Sequence, residues 1–146
     1  MKVAIVAVGK VKERAVRTVL DDYLGRIRRY AKIDEVELKD MPAPQLVERF
    51  GRHLDAGGRT IALEVEGKLW SSQDLAKQVG DCELYSVPSL TFLIGGSYGL
   101  PPSVSRQATA RFSLGRITLP HRLARVILAE QIYRAFTILR NEPYSH

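Results

Sequence analysis

Thr91-Phe-Leu-Ile-Gly-Gly-Ser-Tyr-Gly-Leu100 decides how the rest of the chain is read. An apolar run from Leu90 to Ile94 breaks at Gly95-Gly96, with Gly99 and then Pro101-Pro102 behind it. Such a run, bounded by glycines, is a buried strand feeding a loop. A second short strand, Arg111-Phe-Ser-Leu-Gly115, leads through Arg116-Ile-Thr-Leu119 to Pro120-His121, and a helical pattern spans Leu123 to Leu139. Two strand ends, each followed by a glycine-bearing loop, are the means by which an open α/β sheet holds a flat ligand.

Working outward, Lys2 to Val8 is a continuous apolar strand, as a sheet covered on both faces requires. Val11 to Tyr30 places Val16, Val19, Leu20, Tyr23, Leu24 and Ile27 at three- and four-residue steps, which makes an amphipathic helix. Ile33 to Lys39 alternates apolar and charged residues, the pattern of a more exposed strand at an edge. Pro42 and Pro44 open a second helix that buries Leu46, Val47, Phe50 and Leu54 and stops at Gly57-Gly58. Thr60 to Val65 is a third strand, turned by Glu66-Gly67-Lys68. Ser71-Ser72 then caps a short helix with Asp74 in its first turn, and Trp70 before the cap is placed to act as a hydrophobic staple. Strands and helices simply alternate. The expectation is one α/β domain over residues 1–146, a mainly parallel sheet with helices on both faces.

The last helix is apolar nearly all round, from Leu123 and Val126 through Ile132 and Phe136 to Leu139. A helix apolar on more than one side needs more than one apolar neighbour, and a second copy of the chain is the expected one. A homodimer built partly on this helix follows.

The hydrophobic and charged fractions, 45% and 26%, are those of an ordinary soluble globular protein. The opening apolar run is too short for a signal peptide. Cys82 is the only cysteine, which excludes an internal disulfide and a thiolate metal cluster and points to a reducing, cytoplasmic setting. Of the net charge of +6, most lies in residues 91–146, where seven Arg and no Lys face only Glu130 and Glu142. Guanidinium groups fork onto phosphates and stack on bases, so RNA is the expected partner. The competing reading pairs some of these arginines with carboxylates in the core or at an interface.

The glycine loop is neither a dinucleotide fingerprint nor a phosphate-binding loop, and by itself it reads more readily as a tight turn than as a ligand site. No Gly-x-Ser-x-Gly elbow and no His-x-x-x-His pair occurs. His121, directly after Pro120, is either a capping-region residue or a neutral imidazole held at a positive helix end.

Strand-Gly-Gly-x-x-Gly-Leu, then Leu114-x-x-x-Thr118-Leu-Pro-His121-x-Leu-x-Arg-Val, then Leu128-Ala-Glu-Gln-Ile-Tyr-Arg-Ala-Phe, ending in Pro143-Tyr144, closely resembles the RlmH family. The opening Lys-Val-x-x-Val-Ala-Val-Gly and Leu63-Glu-x-x-Gly67-Lys-x-Trp70 extend the resemblance over the whole chain. These are SPOUT-class methyltransferases that use S-adenosylmethionine (S-adenosyl-L-methionine) on a pseudouridine N3 of 23S ribosomal RNA. The resemblance implies a C-terminal trefoil knot, a bent methyl donor and a large-subunit or ribosome partner, with no metal. Carried over position by position, the donor contacts fall on Leu63, Gly95 and the run Leu114, Gly115, Arg116, Ile117, Thr118 and Leu119. Arg134, Tyr144 and His146, with His121 in support, are the residues expected to act on the acceptor.

Two departures stand out. Ser97-Tyr98 occupies the place where the family often has Pro-Glu, so no carboxylate role carries over there. The chain ends Pro143-Tyr144-Ser145-His146 where Pro-Tyr-His and a basic residue is typical. Alternative readings are a non-catalytic ribosome-binding module, a SPOUT methyltransferase for another RNA, or a small-molecule enzyme on a Rossmann-like sheet.

Overall fold

The computed structural model describes residues 1–144. Five strands and five helices follow one another in the order β1 (Lys2–Val8), α1 (Arg14–Ile27), β2 (Lys32–Leu38), α2 (Ala43–Gly51), β3 (Arg59–Leu69), α3 (Ser72–Leu84), β4 (Ser89–Ile94), α4 (Pro102–Gln107), β5 (Ala110–Ser113) and α5 (His121–Leu139). The sheet runs β2-β1-β4-β3-β5 and every ladder in it is parallel. The expected α/β class, with helices on both faces, is therefore found.

Pattern and position agree strand by strand. β1 and β4 lie inside the sheet and are buried along nearly their whole length, which is why they read as unbroken apolar runs. Val3, Ile5, Ala7, Leu90 and Phe92 pack on one face against α1, α3 and α5, while Val6, Val8 and Leu93 pack on the other against Leu46, Phe50 and Val104 of α2 and α4. β2 takes the edge, as its alternation predicts. Ser71 caps α3 in a reciprocal box, accepting from the Asp74 N–H at 3.0 Å while its own N–H donates to Asp74 at 2.8 Å. A cap of this kind is worth about 1 kcal/mol.

Three expectations change. β3 does not end at Val65, and Glu66-Gly67-Lys68 is not a free turn. Leu63 and Lys68 both sit opposite Phe112 of β5, so residues 64–67 bow out of the ladder before it resumes. Gly67 makes this possible, because a Cβ there would meet the Phe112 backbone at 2.8 Å. Trp70 stacks on Phe112, ring centroids 4.8 Å apart, and so braces this irregularity. The second helix is also shorter than its apolar pattern indicates, ending at Gly51.

The apolar circumference of α5 is largely consumed within the chain. The helix packs between α1 and α3 and against the sheet, with Leu128, Ala129, Ile132, Ala135 and Phe136 wholly buried. Leu123 and Ile127 remain 42% and 37% exposed, and Val19 of α1 45%. Any contact with a second copy must use this smaller remainder. Among the described residues, no helix is long and apolar enough to cross a membrane.

Candidate active site at the carboxyl edge of the sheet

The bow within β3 and the loops that follow β4 and β5 converge on one side of the sheet, and together they line a cavity of about 660 Å³. The bowed residues Glu64, Val65 and Glu66 form one wall, the turn Gly95–Leu100 a second, and the stretch from Leu114 to Pro120 a third; His121 and Ala124 of α5 complete it. Its size is that of a small-molecule site.

Each wall is fixed by a specific backbone device. The turn after β4 folds back so tightly that a Cβ on Gly95 would lie 2.2 Å from the Gly99 carbonyl carbon and 2.4 Å from the Leu100 nitrogen. Gly99 takes φ +78° and its N–H donates to Gly96 at 3.0 Å, closing the loop. In the third wall Gly115 adopts φ +137°, and the Ser113 hydroxyl bridges its N–H and carbonyl at 3.0 and 2.9 Å.

Arg116 joins two of the walls. Its guanidinium donates to the Val65 and Gly67 carbonyls of the bowed segment and to Ser113 Oγ. Seven of the eight residues expected to contact the donor (Leu63, Gly95, Leu114, Gly115, Ile117, Thr118 and Leu119) line the cavity. The Arg116 side chain does not; it is a latch between loops.

His121 lies at the start of α5 against Gly9, where a Cβ would come within 3.3 Å of the imidazole. Its Nδ1 is buried and has no hydrogen-bond partner among the described residues. Burial first, then the Arg125 charge, holds its pKa below the ordinary histidine value, partly offset by the Lys10 main chain and Glu37. The imidazole is thus neutral near pH 7.

Arg125, one turn further on, is completely buried. It donates to the Gly9 carbonyl at 2.8 Å, to Glu35 at 3.0 Å and to Glu37, while Glu37 also accepts from the Val11 N–H at 2.8 Å. One guanidinium therefore fastens the start of α5 to β2 and to the loop after β1. The charged positions of β2 that mark it as an edge strand are the carboxylates of this network.

Arg134 and Tyr144 sit elsewhere. Thirteen residues separate His121 from Arg134, which is roughly 20 Å along a helix. Both groups converge on Glu130: Arg134 donates to it at 2.8 Å and the Tyr144 hydroxyl at 2.7 Å. Arg134 also lies over the Tyr144 ring, 5.1 Å from its centroid. Burial, then the bond to Glu130, pushes the Tyr144 phenol well above its ordinary value, so it stays protonated and serves as a donor. His146 lies outside the described residues.

The other C-terminal arginines bear on the charge argument. Arg125, Arg134, Arg140 and Arg122 pair with carboxylates, as the competing reading anticipates. The Arg122 and Arg140 pairs are half-exposed, and such pairs are weak enough to exchange for phosphate. Glu64, Glu66 and Ala124 belong to the cavity but were not singled out by sequence. The carboxylates flanking Val65 just before Gly67 were the available signal, since two charges interrupt an otherwise apolar strand. Among the described residues no group of three or more His, Cys, Asp or Glu is arranged to hold a metal ion.

The family model described as "Predicted SPOUT methyltransferase" matches residues 1–146. A protein of Sorangium cellulosum named ribosomal RNA large subunit methyltransferase H is 47% identical over 146 residues, covering 100% of both chains. A protein of the same name from Bifidobacterium animalis subsp. lactis is 43% identical, covering 99% of each. A solved structure of a probable methylase family protein from Haemophilus influenzae shares the fold at TM-score 0.56 and 9% identity, covering 99% of this chain and 70% of that one. A whole-length family match, full-length relatives and a cavity built from the three matched loops all agree: the chain belongs to the SPOUT methyltransferases, within the group of ribosomal RNA large subunit methyltransferase H.

Proposed function

We propose that residues 1–146 form a single catalytic domain that works in the cytoplasm as a homodimer. It methylates N3 of a pseudouridine in 23S ribosomal RNA of the large subunit, with S-adenosylmethionine as donor. The observation that carries the reading is the cavity of about 660 Å³, walled by the matched loops at the carboxyl edge of a parallel sheet.

The residues present fit such a donor. Leu63, Leu114, Ile117 and Leu119 offer apolar surface to a purine, and the main chain of 114–119, Arg116 included, offers donors and acceptors to its edge. Gly95 lets backbone come close. Glu64 and Glu66 supply negative charge to a cationic ligand. S-adenosylmethionine, when bound, supplies an electrophilic methyl on a sulfonium. The protein's contribution is then orientation, exclusion of water and management of one proton.

The acceptor nitrogen is an imide N–H and must lose its proton. Neutral His121, in the cavity wall, is able to take it. Arg134 and the protonated Tyr144 suit a second task, stabilising negative charge that develops on the neighbouring carbonyl oxygens. Arg134 stands about 15 Å further along α5 than Ala124, the last residue of that helix in the cavity wall, and Tyr144 is beside it, so they reach a reacting base only from a second copy. The exposed Leu123, Ile127 and Val19 supply apolar surface for that pairing. The crossing from β5 back to α5 is the segment in which the trefoil knot would lie.

Incubation with labelled donor and unmethylated ribosomes, followed by mapping of the modified nucleotide, tests the reading. The expected result is label on one pseudouridine of the large-subunit RNA. Donor binding without transfer to any RNA would leave only an RNA-docking protein. Affinity for RNA should also fall steeply with salt.

A further inference from the structure

Tyr98 is completely exposed, its side chain projecting from the turn that forms the second wall of the cavity. Ile117, which lines the same cavity from the third wall, is 79% exposed. Neither side chain contributes to either hydrophobic cluster of the protein. An exposed ring at the rim of a binding cavity, without a folding role, is available to a ligand.

The turn that carries Tyr98 is rigid. Gly96 and Gly99 form a bridge, the Gly99 N–H closes onto the Gly96 carbonyl, and the Gly95 backbone abuts Gly99 and Leu100. Gly96 in turn lies close on Val8 of the interior strand β1, 3.1 Å from where its Cβ would be. The backbone bearing the ring is thus anchored to the sheet, and little ordering is needed when a partner docks. A planar face held out this way suits stacking on a nucleobase, which tolerates any base because each has a π-face.

We propose that Tyr98 is a substrate-contacting residue: it stacks on a nucleobase of the RNA at the mouth of the donor cavity, with Ile117 as a second apolar contact. This deepens the methyltransferase reading and rests on it. It commits to single-stranded or unstacked RNA, because a base within a duplex has no free face.

The test compares wild type with Tyr98→Ala and Tyr98→Phe. Three quantities are read: KM and kcat on unmethylated ribosomes, Kd for S-adenosylmethionine, and Kd for a short single-stranded fragment of large-subunit RNA. Stacking of one base is worth about five- to 150-fold in affinity. Tyr98→Ala should therefore raise KM and the RNA Kd by about that factor, leaving kcat and donor affinity within about twofold, and Tyr98→Phe should restore both. Because Tyr98 is wholly exposed, neither change should move Tm.

Unchanged RNA affinity in Tyr98→Ala overturns the proposal while leaving the enzyme reading intact. So does a rise in donor Kd alone, which would make Tyr98 a cover for the donor. Equal loss in Tyr98→Phe would assign the effect to the hydroxyl and overturn stacking. A weaker dimer with unchanged RNA affinity would make the ring an interface residue. A wild-type chain that binds donor but neither binds nor methylates RNA overturns the enzyme reading, and Tyr98's role falls with it.

Discussion

The two ends of α5 are built for opposite work. At its start, His121 and Ala124 border a cavity of mostly apolar walls, and burial, with the Arg125 charge second, holds the imidazole's pKa low. Toward its far end, Glu130 gathers Arg134 and Tyr144 into a charged cluster half open to solvent. One end is suited to an apolar ring, the other to a group that gains negative charge. They lie about 20 Å apart, so a reaction that needs both requires two chains, each lending the end the other lacks.

The comparison breaks first at Gly95. Gly95→Ala forces a Cβ into backbone 2.2 Å away, so the second wall must open. The expected outcome is loss of measurable donor binding by calorimetry, with the far-end cluster untouched. Persistence of wild-type affinity would separate the cavity from the donor.

Arg125→Ala comes next. It takes from the partly buried Glu35 and Glu37 the wholly buried one of their two guanidinium partners while Arg17 remains, and since fully orphaning a buried charge costs about 3–5 kcal/mol, a loss of about 2 kcal/mol is expected. Denaturant unfolding should show a loss of that order. A loss below about 1 kcal/mol would mean that water compensates the carboxylates and the network does not hold α5.

Arg134→Ala sharpens the contrast between the ends. Turnover should fall about 100-fold with donor affinity unchanged. Mixing this variant with Gly95→Ala then rebuilds intact sites in mixed dimers only. With random pairing, activity should return to about a quarter of wild type. No recovery, under conditions where the subunits exchange, would place both ends in the service of one chain.

The smallest effect concerns pH. The His121 pKa is depressed in the folded state, so the unfolded chain binds the extra proton first as pH drops below 6.5. Stability should therefore decline from pH 7 toward 5, before the carboxylates Glu37 and Glu83, whose values are lowered, begin to titrate. His121→Gln should flatten that decline. An identical pH profile in the variant would exclude His121 as its source.

Residue pattern alone determined a good deal. Continuous apolar runs marked β1 and β4 as interior strands, alternation marked β2 as an edge, and glycines after strand ends located the loops. These are local signals, because side-chain period and backbone freedom depend on neighbours in sequence. The family motifs then named eight donor-contacting candidates, of which seven line one cavity and Arg116 does not. What sequence could not convey depends on residues far apart in the chain. The bow at 64–67 exists because Gly67 meets Phe112. Arg116 faces carbonyls rather than ligand because those carbonyls arrive from β3, about fifty residues earlier. The separation of Arg134 from the cavity follows from the straightness of one helix. Tertiary structure decided these points because each is a contact between segments that sequence order keeps apart, and only packing brings them within hydrogen-bonding reach.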